Sequence, residues 1–222
     1  MDRTSEPSAF ADLTIRRFVQ RLASSEPVPG GGSASALAGA LGAALVEMVA
    51  GLSRGRPKYA PYQPTLSRCA AVGHFLAGEF LALADRDAAA YAAYASALKL
   101  PRETESEIEA RTAAVSAAAR GASEVPCDVV RACLGLAEAA EAMAGRSNLN
   151  ASSDLLVAGL LAEASARGAA ENVRINLPAT GDEDYAEETR HFLDDALHTI
   201  DAMVARSREA VLSGSLRDPE GT

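Results

Sequence analysis

The chain has 222 residues, of which 48% are hydrophobic and only 5% aromatic, and it contains no tryptophan. An alanine-rich composition favours helices over sheets, and this length is enough for one substantial core, so we expect a single all-α domain. The formal net charge of -9 excludes nucleic acid and anionic membrane surfaces as general partners, because both repel an acidic protein. Any anionic ligand would need local positive groups.

The cysteines and histidines indicate neither a disulfide framework nor a metal centre. Cys69, Cys127 and Cys133 are odd in number and lack CxxC spacing, and no signal peptide is evident, so we expect free, mostly buried thiols in a reducing cytoplasm. His191 and His198 would lie about 10 Å apart along one helix, too far apart to share a zinc ion. The sequence therefore predicts no metal and no cofactor.

Apolar periodicity and helix-stop signals predict a bundle of about seven helices without an internal domain boundary. The domain is expected to span residues 8–212, followed by a flexible tail at 213–222. The longest helix is expected to be central, with a length of about 51 Å. Separate fourth and fifth helices are predicted because Gly121 and Pro126 interrupt the pattern. The predicted ranges are 10–24, 33–53, 65–98, 104–121, 126–145, 153–172 or as far as 177, and 184–212.

The turn between the first two predicted helices has the sequence PVPGGGS, from Pro27 to Ser33. Ser33 is the expected N-cap, so the three glycines would lie where a new helix presents unpaired N–H groups that suit an anion. An ordinary interhelical turn explains the same residues equally well. The turn is neither a dinucleotide fingerprint nor a P-loop, because the strand, the GxGxxG spacing and the GK[ST] ending are missing.

The second predicted helix is almost uncharged. The segment from Ala34 to Leu52 carries one charge, Glu47, and a basic run of Arg54, Arg56 and Lys58 follows it. Alanine and glycine contribute little membrane-insertion energy, and no aromatic belt flanks the segment. We therefore predict no membrane partner and a central helix that other helices surround.

An apolar stripe runs along the predicted helix at 65–98 in alternating steps of three and four residues. Asp87 is its only charged member. A carboxylate on a buried stripe is costly unless it is paired, and such groups tend to have perturbed pKa values and functional roles. A purely structural bond to Tyr91 or to a basic partner is the alternative. The stripe comprises Cys69, Val72, Leu76, Phe80, Leu83, Asp87, Tyr91, Tyr94 and Leu98.

Two further polar clusters flank the sixth predicted helix. Before it, residues 147–154 contain Asn148, Asn150 and Asp154, and a serine cap with an acidic first turn explains part of this pattern structurally. After it come Asn172, Arg174 and Asn176. Amides of this kind can bind the edge of a planar heterocycle in a pocket lined by apolar helices.

Six segments carry the strongest signal in combination: PVPGGGSASALAGALGAALVEMV at 27–49, RPKY at 56–59, DRDAAAY at 85–91, LPRETESE at 100–107, NLNASSD at 148–154 and GAAENVRINL at 168–177. In order and spacing they resemble the cyclodeaminase/cyclohydrolase family. This family includes the C-terminal domain of formiminotransferase-cyclodeaminase, its stand-alone bacterial relatives and the serine-cycle methenyltetrahydrofolate cyclohydrolase. The resemblance covers the chain from about Phe10 to Ile200.

The resemblance implies an all-α homodimer that binds a tetrahydrofolate derivative, with Asp87 as the catalytic aspartate. It also implies that the PGGGS turn, Lys58, Asn150 and Asp154 lie near the folate. On a chain with net charge -9, the basic run of Arg54, Arg56 and Lys58 is the local cluster expected to hold the glutamate tail of a folate. The substrate-binding set predicted from the matching segments is Pro29, Gly30, Gly31, Gly32, Ser33, Lys58, Tyr91, Asn148, Asn150, Asp154, Arg174 and Asn176.

Three functions remain open from the sequence. A formiminotetrahydrofolate cyclodeaminase ranks first, a methenyltetrahydrofolate cyclohydrolase follows, and a non-catalytic folate-binding or assembly protein is the alternative of another class. The last is kept because the chain departs from the family pattern. The family usually has Asn-Leu-Thr where this chain has Gly51, Leu52 and Ser53, and a small or apolar residue where it has Glu47.

Overall fold

The computed structural model describes residues 9–219, and all regular structure in that range is helical. Six α-helices are present where about seven were predicted: α1 Ile15–Leu22, α2 Gly31–Ser53, α3 Gln63–Ala97, α4 Glu105–Met143, α5 Ser152–Asn176 and α6 Glu183–Leu212. Short 3-10 turns cover Phe10–Asp12, Pro57–Tyr62, Leu149–Ala151 and Leu177–Thr180. The predicted all-α class is confirmed. Residues 1–8 and 220–222 lie outside the described residues. They include the first residue of the predicted domain and the last three residues of the predicted tail.

The prediction of two helices at 104–121 and 126–145 is wrong, because α4 continues through Pro126. A proline has no N–H to donate to the carbonyl four residues earlier, which here is that of Ala122. The side-chain amide of Asn176 fills the gap, since its Nδ2 lies 2.9 Å from the Ala122 oxygen. A donor from α5 therefore compensates for the missing bond.

The first predicted helix is also divided. A 3-10 turn at Phe10–Asp12 precedes α1, and Thr14 caps α1 by accepting a hydrogen bond from the N–H of Arg17. The N–H of Phe10 donates to Asp85 Oδ1 at 2.8 Å, so this part of the chain is anchored to α3. Asp85 is thus a structural acceptor.

Helix α2 lies between α3 and α5 and runs antiparallel to both, and its buried side consists of small residues. Close approach is the reason. A Cβ at Gly39 would lie 2.5 Å from the ring of Phe80, and one at Gly73 would lie 2.8 Å from the Ala43 carbonyl. On the α5 side, a Cβ at Gly42 would lie 3.1 Å from the Ala158 carbonyl. Small residues thus let three helix backbones pack tightly.

The opposite side of α2 is not surrounded by other helices, contrary to the prediction. Leu41 is 55% exposed, and Met48 and Leu52 are 41% exposed. Val157 and Leu160 are also exposed and belong to α5, which packs against α2. We call these five residues the apolar face.

The remaining long helices complete the core. Helix α4 packs against α3 and α5, and α6 packs against α4 and α5. Beyond α6 the chain turns back, where the N–H of Arg217 donates to the Gly145 carbonyl at 2.7 Å and Tyr62 Oη donates to the Arg217 carbonyl at 2.8 Å. These bonds join residues just after α6 to the end of α4, and the flexibility predicted for 213–222 remains a prediction.

Two stretches, Gly31–Ser53 and Pro57–Ala97, are long and apolar enough to cross a membrane by length and composition. A core helix passes the same test, and both stretches contribute to the hydrophobic core of the bundle. They are weak evidence for a membrane span.

Candidate active site

The glycine turn begins α2 in a different register from the predicted one. The N-cap is Gly30, and the helix starts at Gly31, so Ser33 lies inside the first turn with a buried side chain. None of Gly30, Gly31 and Gly32 has a positive φ. A left-handed backbone conformation is therefore not the reason for glycine at these positions.

The carboxylate of Asp87, a residue of α3, lies against the start of α2. Ser33 Oγ donates to Asp87 Oδ2 at 3.0 Å, and a Cβ added at Gly32 would overlap the Asp87 carboxylate. Gly32 is therefore the glycine that the close approach requires. The carboxylate at this helix start belongs to the chain itself, and the backbone N–H of Ser33 also donates to it.

The environment of Asp87 favours its protonated form. Burial raises the pKa of Asp87 above its ordinary value, while hydrogen bonds from the side chain and the backbone of Ser33 oppose this increase. Within residues 9–219, no lysine or arginine forms an ion pair with it. The partner of Asp87 is a serine of α2, not Tyr91 or a basic residue.

Asp87 opens into a cleft of about 270 Å³ between α3, α4, α5 and the glycine turn. Of the predicted residues, the cleft contains Gly30, Gly31, Gly32, Asp87, Tyr91 and Asn176. Two more lining residues, Tyr94 and Asn172, were not predicted as site residues. Helical spacing could have identified both, since Tyr94 follows Tyr91 by three residues on the stripe and Asn172 precedes Asn176 by one turn.

The remaining predicted residues lie elsewhere. Pro29 is buried behind the turn and does not line the cleft. Arg174 is directed away, because its guanidinium pairs with Glu171 at 2.6 Å and Asp194 at 3.0 Å.

A second cluster gathers at the other end of α2, about 33 Å away by helix rise. Ser53 Oγ accepts the N–H of Asn148 at 2.8 Å, and Tyr59 Oη accepts the N–H of Leu149 at 3.2 Å. We define the second cluster as Lys58, Asn148, Asn150 and Asp154. Ser53 keeps the hydroxyl that the family's threonine has at this position. A single copy of the chain therefore separates the predicted substrate residues into two groups.

Other cavities among the described residues are lined by ion pairs. In a larger cleft of about 540 Å³ between α5 and α6, Arg167 pairs with Asp201 at 2.7 Å and with Glu163 at 3.0 Å. Burial raises the pKa of Cys127 to about 11 and that of Cys133 to about 12, so both thiols stay protonated. All three cysteines are buried and free, as predicted. No group of metal-ligating side chains occurs in residues 9–219.

Replacing Gly32 with alanine is expected to lower turnover about 100-fold, because the added methyl group must displace Asp87. A stability loss of about 1–3 kcal/mol should accompany it, the usual cost of overpacking. Gly78→Ala is the matched control, since a Cβ at this exposed glycine of α3 would meet nothing within 4 Å. Steady-state kinetics and thermal melts of both variants test this, and equal turnover in both would contradict it.

Asp87→Asn is expected to raise the melting temperature at neutral pH, because the native protein must bury part of a charge there. Below the ordinary pKa, Asp87 is protonated in both the folded and the unfolded chain, so the gain should vanish. As the pH rises through the raised folded-state pKa, the wild type loses stability and the variant does not. Melting curves between about pH 3 and pH 8 measure the difference. A pH-independent difference, or a variant less stable at neutral pH, would exclude this account.

The class defined by the fold and site is an all-α enzyme with a half-buried carboxylate in a helix-lined cleft. Residues 14–195 match the family model described as formiminotransferase-cyclodeaminase. The chain belongs to this family.

Named relatives have two activities. The chain is 38% identical over 200 residues to a methenyltetrahydrofolate cyclohydrolase of Methylorubrum extorquens, covering 90% of this chain and 96% of that protein. It is 35% identical over 208 residues to the formimidoyltransferase-cyclodeaminase of Rattus norvegicus, covering 94% of this chain but only 38% of the rat protein. A crystal structure of formiminotetrahydrofolate cyclodeaminase from Thermotoga maritima matches with a TM-score of 0.83 and 28% identity, over 91% of this chain and 98% of that one.

Proposed function

We propose that the protein is a folate one-carbon enzyme, and specifically a formiminotetrahydrofolate cyclodeaminase. The observation that carries this proposal is Asp87, a carboxylate whose pKa is raised by burial and which opens into the cleft without a basic partner. General acid–base catalysis is most effective when the pKa lies near the working pH.

The reaction needs proton transfer between two nitrogens. The 10-nitrogen of the folate attacks the formimino carbon, a new C–N bond forms, and the 10-nitrogen loses its proton. The formimino nitrogen, which already carries two hydrogens because the amidine is protonated, gains a third, its bond to the carbon breaks, and ammonia leaves as the 5,10-methenyltetrahydrofolate cation forms. Asp87 would accept the first proton and deliver the second, which contributes on the order of 10²- to 10⁴-fold. The reaction requires no cofactor.

A second candidate is methenyltetrahydrofolate cyclohydrolase. It is favoured by the 38% identity over nearly the full length of the Methylorubrum extorquens enzyme. Here water adds to the methenyl carbon, and Asp87 would remove a proton from that water. Both reactions occur at the same carbon and can use the same carboxylate.

Incubating the purified protein separately with 5-formiminotetrahydrofolate and with 5,10-methenyltetrahydrofolate distinguishes the candidates. A cyclodeaminase should produce methenyl absorbance together with an equal amount of ammonia. A cyclohydrolase should consume methenyl absorbance without ammonia release. Folate binding without either change would support the non-catalytic alternative and contradict the proposal.

We also propose a homodimer that forms through the apolar face, and a cytoplasmic location. An exposed apolar surface on a bundle with net charge -9 suits a second copy of the same surface, because apolar contact does not depend on charge. The centre of α2 lies between Leu41 and Met48. A two-fold axis there would pair the α2 helices antiparallel and bring the start of one helix beside the end of the other.

This arrangement would unite the two groups of predicted residues. The cleft at the start of α2 in one protomer would face the second cluster of its partner, including a Lys58. The basic side chain could then hold the glutamate tail of a folate whose reacting end lies against Asp87. A protein whose substrate residues lie about 33 Å apart in one protomer gains a single binding site in this way.

A further inference from the structure

Asn172 and Asn176 lie one helical turn apart on α5, and both line the Asp87 cleft. Each uses its amide nitrogen within the protein. Asn172 Nδ2 donates to the Gly168 carbonyl, and Asn176 Nδ2 donates to the Ala122 carbonyl, both at 2.9 Å. Because a carbonyl oxygen can only accept, these bonds fix the orientation of both side-chain amides.

Both asparagines are therefore left with an oxygen for a ligand. Within residues 9–219, no donor bonds to the Oδ1 of either asparagine. Both oxygens are accessible to solvent, because neither is a buried polar atom without a partner. The Asn172 amide lies against Gly31, with its Nδ2 3.7 Å from where a Cβ would be, and the Asp87 carboxylate lies against Gly32, so the two groups contact consecutive residues of α2. This wall of the cleft thus presents hydrogen-bond acceptors from α5 beside the carboxylate of α3.

We propose that Asn172 Oδ1 binds the N–H group of the formimino nitrogen, the atom that leaves as ammonia, and so determines specificity for an amidine over an oxygen-bearing one-carbon group. The inference rests on the proposed folate function. A protonated amidine nitrogen carries two N–H donors and a positive charge, which matches acceptors placed beside a carboxylate. The amino edge of the pterin ring also carries N–H donors, but that edge is remote from the carbon on which Asp87 must act.

The acceptor wall would act throughout the reaction. As the carbon–nitrogen bond breaks, the leaving nitrogen acquires a third hydrogen, and Asn172 can accept from it while Asp87 delivers the proton. A formyl group presents an oxygen at the same place, which would face the Asn172 oxygen without a shared proton. The cleft should therefore select against the formyl compound.

Equilibrium binding of 5-formiminotetrahydrofolate and 5-formyltetrahydrofolate tests the inference, because these ligands differ at this one position. Calorimetry in an Asp87→Asn background prevents turnover. That protein should prefer the formimino ligand at least about tenfold, the scale of one hydrogen bond to a charged group. Adding Asn172→Leu should reduce the preference below about twofold, and Asn172→Asp, which keeps an acceptor, should retain it.

The other possible results distinguish failure of the inference about Asn172 from failure of the proposed function. Equal weakening of both ligands by Asn172→Leu would assign Asn172 to the pterin edge and overturn the inference. An unchanged preference would also overturn it, as would the absence of folate binding. A preserved preference in a wild type that turns over neither folate would overturn the catalytic proposal and leave the recognition intact. Asp195→Asn, on an exposed part of α6, serves as the control and should change neither affinity.

Discussion

Asp87→Asn is expected to lower turnover of 5-formiminotetrahydrofolate at least about 100-fold while the helices remain intact. An asparagine can still accept the hydrogen bond from Ser33, so local packing should change little. It cannot take up and return a proton, which is the contribution assigned to the carboxylate. Methenyl absorbance under saturating substrate measures the loss, and circular dichroism checks the fold.

The neighbouring Asp85→Asn is the matched control. Asp85 accepts the N–H of Phe10 and does not line the cleft, so its replacement should alter turnover by less than about threefold. Near-normal activity of Asp87→Asn would refute the assignment of Asp87. A large loss in both variants would point to damage of α3 instead of lost catalysis.

Mixing two inactive variants is expected to restore activity if the site is shared between protomers. Lys58→Glu should lower kcat/KM for a polyglutamated substrate about thirtyfold by reversing the charge that faces the tail, and higher salt should shrink this effect. In a mixed dimer of Asp87→Asn and Lys58→Glu protomers, one site receives both defects and the other receives neither. An equimolar mixture that exchanges freely should therefore regain about a quarter of wild-type activity.

A double variant provides the control for this experiment. Asp87→Asn combined with Lys58→Glu in one chain, mixed equally with wild type, should give about a quarter of full activity when sites are shared and about half when each protomer is self-sufficient. Sedimentation verifies that the mixed dimers form. Failure of the two single variants to complement would show that the second cluster acts within its own protomer or not at all.

Local patterns were sufficient to predict most of the fold. The apolar stripe correctly placed Asp87 against another helix, because three-and-four spacing determines which residues share a face. The break at Pro126 was predicted wrongly for a physical reason. Its compensating donor, Asn176, lies on a different helix, and a motif read along the chain does not show which distant side chain reaches a freed carbonyl.

Part of the site could be predicted because helical spacing shows which side chains share a face. Tyr91 and Asn176 line the cleft beside Asp87, and each shares a helix face with a polar or aromatic neighbour, while their role toward a substrate stays a prediction. The partner of Asp87 was missed, because Ser33 looks like an N-cap in the sequence and becomes a first-turn residue once Gly30 takes the cap. Lys58 and Asp87 lie far apart because they are at opposite ends of α2. The length of a helix does not indicate whether a second copy of the chain brings two such residues together.

Helix α2 buries mostly small residues and exposes Leu41, Met48 and Leu52, which reverses the usual pattern of mutational tolerance. At Gly39 and Gly42 side-chain size should matter more than polarity, because an added methyl group would overlap the Phe80 ring at Gly39 and crowd the Ala158 carbonyl at Gly42. At Leu41 and Met48 many sizes should be accepted, and a charge should not. In a saturation library across α2, the tolerated substitutions should therefore be limited by side-chain volume at the buried positions and by polarity at the exposed ones. The exposed positions that reject a charge would mark the contact surface of the proposed dimer.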